Sequence, residues 1–199
     1  MKNENFDFYI DKIGNNISNI YNAFYLWKNL QNSNHNQIYN RYKYFWGITI
    51  TSVQLNWLLG IPKLFEEPKR QKEEVISIPF LLKFISEGEE KEKIRKEIDA
   101  QRPVLDNFKK WRNKILAHQD RIVADNIKGF YKIYPIKGEQ VEGLLSSIAK
   151  IIGMIKSTKT NHSEFYSFSS YKENSERNLK GIIEILKKHI EDKRVHYKN

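Results

Sequence analysis

One short stretch of the 199-residue chain carries the residue types that phosphodiester chemistry requires: Arg112 and Asn113, then His118, with Lys114, Asp120 and Arg121 beside them. An imidazole has an unperturbed pKa of about 6.5, so His118 can give or take a proton at neutral pH. RNA offers a 2′-hydroxyl beside every scissile phosphate, and a positioned histidine with an arginine can promote attack of that hydroxyl on phosphorus without a metal. In such a reaction His118 is the general acid or base, and Arg112 holds the phosphate and offsets its developing charge. Asn113 orients the phosphate or the histidine, and Lys114, Asp120 and Arg121 are candidate substrate or orienting contacts. A structural reading stands beside the chemical one. His118 can be a partly buried, hydrogen-bonded histidine at a helix end, where a cation complements the dipole. Arg112 can pair with Asp106, Asp120 or a carboxylate on another helix.

The element that must position these residues is an amphipathic helix from about 103 to 119. Val104, Phe108, Trp111 and Ile115 recur along one face of a 3.6-residue helix, and Pro103 sits where a first helical turn tolerates proline. Arg112 and His118 are six residues apart, about 9 Å along the axis and about 240° around it. They do not share a face of a straight helix. Bringing them together takes a helix end, a distortion or a second copy of the helix.

This segment resembles the signature of the HEPN superfamily of helical domains, in which an Arg, a polar residue and a later His lie on a late helix. Arg112, Asn113 and His118 match it, and Trp111-Arg112-Asn113-Lys114-Ile115-Leu116-Ala117-His118-Gln119-Asp120 is similar to the abortive-infection branch of AbiU type. Upstream, Trp46 in a long apolar helix, Leu58-Leu59-Gly60-Ile61-Pro62-Lys63-Leu64-Phe65 and Ile76-Ser77-Ile78-Pro79-Phe80-Leu81-Leu82 extend the resemblance, which covers residues from about 40 to about 155. It implies a metal-independent ribonuclease acting as a homodimer, the two motifs meeting at a shared cleft, in a toxin–antitoxin or phage-defence system. It also admits an inactive binding module.

Composition narrows the classes. At 40% hydrophobic and 13% aromatic residues the chain is globular, and its length fits a single domain over 1–199. The absence of cysteine excludes disulfides, thiolate nucleophiles and Cys-rich zinc sites, and is compatible with a reducing, cytoplasmic location. Glu4, Asp7 and Asp11 make the N-terminus unlike a signal peptide. Tyr44 to Pro62 lacks charge, but Thr49, Thr51, Ser52, Gln54 and Asn56 interrupt it, so it reads as a central buried helix rather than a membrane span. His35, His162, His189 and His196 stand far apart, so no metal and no cofactor is expected. A net charge of +10 favours a polyanionic partner, although a general abundance of Lys and Asn gives the same excess.

In chain order, Phe6, Ile10, Ile13, Ile17, Ile20, Phe24 and Trp27 alternate spacings of four and three, the seam of a helix packed along another. Asn32-Ser33-Asn34 breaks it. A second helix runs from about 36 to about 60, apolar nearly all round and therefore expected to be buried; its Ile48-Thr49-Ile50-Thr51 has strand-like content, but its flanks argue for helix. Residues 66–74 read as a solvated loop. Ser77 offers an N-cap for a third helix over 79–86, a charged surface helix with an Ile94 and Ile98 edge spans 89–100, and 121–139 is an irregular connection. Val141, Leu144, Leu145, Ile148, Ile151, Ile152 and Ile155 mark a further helix. Residues 158–172 read as a loop whose Tyr166, Phe168 and Tyr171 either stack on bases or fold back on the core. A last helix carries Leu179, Ile182, Ile183, Leu186 and Ile190 before a basic tail at about 192–199. The expectation is an all-α, single-domain bundle of five to seven helices, homodimeric, with RNA as its partner and no membrane association. The alternative is a non-catalytic helical module that binds RNA, a nucleotide or a protein partner such as an antitoxin.

Overall fold

The computed structural model describes residues 4–31, 35–68, 75–113, 136–159 and 169–196. Among them the chain is all-α, with no strand: α1 (Glu4–Leu30), α2 (Asn36–Arg41), α3 (Lys43–Leu64), α4 (Ile78–Leu81), α5 (Glu89–Ala100), α6 (Arg102–Trp111), α7 (Gly138–Ser157) and α8 (Ser169–His196), with a 3₁₀ turn at Leu82–Phe84 after α4. That is one helix more than the five to seven expected. The extra one arises because the helix expected over 36–60 breaks at Tyr42, whose backbone (φ −117°, ψ 42°) leaves the helical region between α2 and α3. At its other end the same helix runs past Gly60 to Leu64, carrying Pro62 inside it. No helix among the described residues is long and apolar enough to cross a membrane.

The chain divides into two compact units, residues 1–18 with 58–167 and residues 19–57 with 168–199. In the first, the seam residues Phe6, Ile10, Ile13 and Ile17 are buried, and Tyr9 packs edge-on to Phe80 at 4.9 Å between ring centres. Ser77 Oγ accepts the Phe80 N–H at 3.3 Å, and Pro79 occupies the first turn, as a capped helix start requires. The chain enters α5 through Gly88 at φ 153°, a conformation that side chains rarely adopt.

All seven apolar stripe residues of α7, from Val141 to Ile155, are buried; each such side chain contributes about 1.5–3 kcal/mol by leaving water. Lys150 Nζ reaches Glu97 Oε1 at 2.5 Å, tying α7 to α5. On α5 only Ile94 and Lys91 are buried, and Ile98 is half-buried. Lys91 Nζ donates to the Ile85 carbonyl at 3.1 Å and to Glu87 Oε1 at 2.7 Å, which satisfies a charge that would otherwise be costly to bury.

In the second unit a core of Leu30, Ile38, Trp46, Leu179 and Ile183 is built from α1, α2, α3 and α8. Trp57 packs at 5.7 Å from Phe24 and 5.2 Å from Trp27. Residues 169–172, expected as loop, are already helical, and the Tyr171 ring lies 6.2 Å from Tyr21, so this tyrosine packs on the protein. Tyr166 and Phe168 lie outside the described residues. The expectation of a buried second helix fails over its first half. Tyr44, Phe45 and Ile48 of α3 face solvent, because an apolar sequence around the whole circumference does not say whether another element lies against each side.

Candidate functional site

Two short pieces of the first unit converge on one ion pair. The first is the end of α3. Pro62 lies in the last turn of α3, and the chain leaves the helix through tight turns, with Phe65 N–H bonded to the Pro62 carbonyl at 3.1 Å and Glu66 N–H to the Lys63 carbonyl at 3.3 Å. Ile61, Leu64 and Phe65 are buried and anchor this exit, which places Glu66 immediately beyond the apolar packing.

The second piece is α6. Its buried stripe is Leu105, Phe108 and Trp111. Val104, expected in the stripe, sits half-buried on its edge, and Ile115 lies outside the described residues. Leu105 N–H bonds the Gln101 carbonyl at 3.0 Å, and Pro103 stands in the first turn. Just past Trp111, Arg112 and Asn113 continue as a wider, π-type turn. Such turns are rare and occur often at functional sites. The α-helical pattern of α6 thus ends at Trp111, and Arg112 stands in the wider turn that follows.

Arg112 Nη1 lies 2.5 Å from Glu66 Oε1, and Arg112 Nε donates to Asn113 Oδ1 at 3.3 Å. The Arg112 side chain is 34% exposed and that of Glu66 33%, so the pair sits at the surface, partly covered. A guanidinium has five N–H donors, of which these two bonds use two; an incoming anion can therefore be accepted with both in place. Asp106, one of the carboxylates considered for Arg112, instead lies 3.7 Å from Lys109. Of the remaining site residues, His118, Lys114, Asp120 and Arg121 lie outside the described residues.

The HEPN family model AbiU2 matches residues 4–182. The chain belongs to this HEPN family. Its match runs from the first turn of α1 into α8, wider than the residues from about 40 to 155 on which the sequence resemblance rests, and it includes Glu66, Arg112, Asn113 and His118. No curated protein and no solved structure matches the chain.

Within this HEPN domain the residue that sequence reasoning missed is Glu66. Read as the start of a solvated loop, it is instead the partner of Arg112, 46 residues away. No periodicity or cap marks a carboxylate just past a helix end as a ligand for a distant guanidinium. The one available signal was the need of a half-buried arginine for a carboxylate on another element.

Proposed function

We propose that this HEPN domain is a metal-independent RNA-cleaving effector of an abortive-infection or toxin–antitoxin system, with both units acting as one domain and two copies of the chain as the working assembly. The observation that carries the reading is Arg112: the arginine of the family signature stands where α6 gives way to a wider turn, its side chain one-third exposed and paired with Glu66. In the mechanism Arg112 binds the scissile phosphate and offsets charge as the 2′-oxygen attacks. His118 moves the proton to or from the reacting oxygens, and Asn113, bonded to Arg112 Nε, orients the guanidinium or the phosphate. Lys114, Asp120 and Arg121 follow in sequence as substrate or orienting contacts. The products are a 2′,3′-cyclic phosphate and a 5′-hydroxyl.

One observation favours a second reading, a non-catalytic module that binds RNA, a nucleotide or an antitoxin-like protein. Arg112 already holds a carboxylate, so part of its charge is neutralised before any phosphate arrives.

Incubation of the purified protein with single-stranded RNA, with product ends mapped, separates the two. The nuclease reading expects cyclic-phosphate ends, and a loss of about 10²–10⁴-fold in a folded His118→Ala variant. Salt-dependent RNA binding without product ends selects the module. An unchanged rate in His118→Ala removes that histidine from the mechanism.

A further inference from the structure

The second unit holds a cavity of about 600 Å³ where α2 lies on α8. Ligand sites occupy roughly 300–1,000 Å³. Ile38, buried in the core of this unit, and Ile190, packed against that core, hold the two helices together at the cavity wall. Two cations line it, Arg41 at the end of α2 and Lys187 on α8, both exposed. Neither makes an ion pair or a side-chain hydrogen bond among the described residues. In the first unit, by contrast, Lys91, Arg95, Arg102 and Lys150 each hold a carboxylate. The reason for the difference lies in the sequence. No Asp or Glu stands between Asp11 and Glu66, so α2 and the segments flanking it bring no carboxylate to the cavity.

The other helix, α8, brings one, Glu191, four residues after Lys187, yet no ion pair joins the two. The cavity therefore carries two positive charges against one negative, and an anion of single charge balances it. A phosphodiester carries one negative charge, whereas a phosphate monoester such as a free nucleotide carries closer to two at neutral pH. Gln37 and Asn40 add amide groups that can donate to phosphate or sugar oxygens. His35 adds an aromatic ring, a side-chain type on which unpaired bases stack. A carboxylate of an acidic peptide would meet the same cations, but along a nucleic-acid strand phosphates alternate with bases, and the cavity supplies a partner for each.

We propose that this cavity holds a phosphodiester of single-stranded RNA, with a neighbouring base against His35. It anchors the strand through the second unit, whereas the signature residues Arg112, Asn113 and His118 belong to the first. The proposal rests on RNA as the partner in the proposed function and not on cleavage.

Binding of a labelled 2′-O-methyl uridine oligomer, which lacks the attacking hydroxyl, isolates the contact from the chemistry. Measured by anisotropy across a range of salt, Arg41→Ala and Lys187→Ala, both checked for helicity, should each flatten the log–log salt dependence by about 0.7, and together by about 1.4. Arg41→Lys and Lys187→Arg keep the charge and should keep the wild-type slope. Glu191→Gln should tighten binding. An unchanged slope in the double Ala variant overturns the site, even if the wild-type chain cleaves natural RNA. A wild-type chain that binds through these residues and leaves natural RNA uncut upholds the site and removes the nuclease reading instead. A double variant that loses affinity for uridine monophosphate or for polyglutamate, but none for the oligomer, gives the cavity to a free nucleotide or to an acidic peptide and overturns the proposal.

Discussion

The carboxylate of Glu66 and the guanidinium of Arg112 meet at 2.5 Å across 46 residues of sequence, each the immediate neighbour of a buried aromatic, Phe65 in one case and Trp111 in the other. The two aromatics fix where the chain emerges from the core, and the two charged groups close over that point. The pair therefore places the arginine of the family signature and also competes for it.

Neutralising the carboxylate tests that competition. Glu66→Gln should tighten RNA binding and steepen its dependence on salt by about 0.7 in log–log slope, one more phosphate neutralised on a single strand; Arg112→Ala should flatten it by a similar amount. Because both side chains are about one-third exposed, the stability lost in Glu66→Gln should be under about 1 kcal/mol. Titrations at several salt concentrations, beside a denaturant melt, measure both. An unchanged slope in both variants would remove Arg112 from phosphate contact.

Glu87 makes stability depend on pH. Its hydrogen bond from Lys91, with Arg95 adding attraction, holds its carboxyl below the usual carboxylate range. A group lowered by folding stabilises the protein above its unfolded pKa, about 4.3 for glutamate, and that contribution disappears as pH falls through the lower folded value. The difference in melting temperature between wild type and Glu87→Gln should be largest near neutrality and shrink toward acid. A constant gap would show that the ionised carboxylate is not what matters.

Ser77→Ala removes the acceptor of the Phe80 N–H at the start of α4, where Ser77 itself is fully buried. Loss of such a cap costs about 0.5–2 kcal/mol, to be read from the midpoint of urea unfolding with an unaltered slope.

Two glycines should respond in opposite directions to the same substitution. Gly143 lies within α7 with open space where a Cβ would stand, so Gly143→Ala should stabilise by about 0.5–1 kcal/mol. Gly88 has equal room but φ 153°, so Gly88→Ala should destabilise by about 1–3 kcal/mol through the backbone alone. Paired thermal melts decide it, and a Gly88→Ala melt as high as wild type would mean the turn into α5 relaxes freely.

Much of the architecture was legible before any coordinates. The seam from Phe6 to Phe24, the stripe from Val141 to Ile155 and the Ser77 cap with Pro79 are patterns written within one helix, where neighbours in space are neighbours three or four residues apart. The helix over Ile48-Thr49-Ile50-Thr51 followed from its flanks against its strand-like content. The break at Tyr42 was not legible, since no proline or glycine marks it.

The sequence by itself determined that the chain is helical, which faces of most helices are apolar, and that Arg112, Asn113 and His118 stand together in a family signature, because periodicity and motif spacing are properties of the chain alone. Only the tertiary structure decided that Glu66 faces Arg112, that the helix widens there, and that the first half of an apolar helix stays uncovered. Each of those depends on which distant segment packs against a given face, and burial, like an ion pair, belongs to the contact between segments and not to either one.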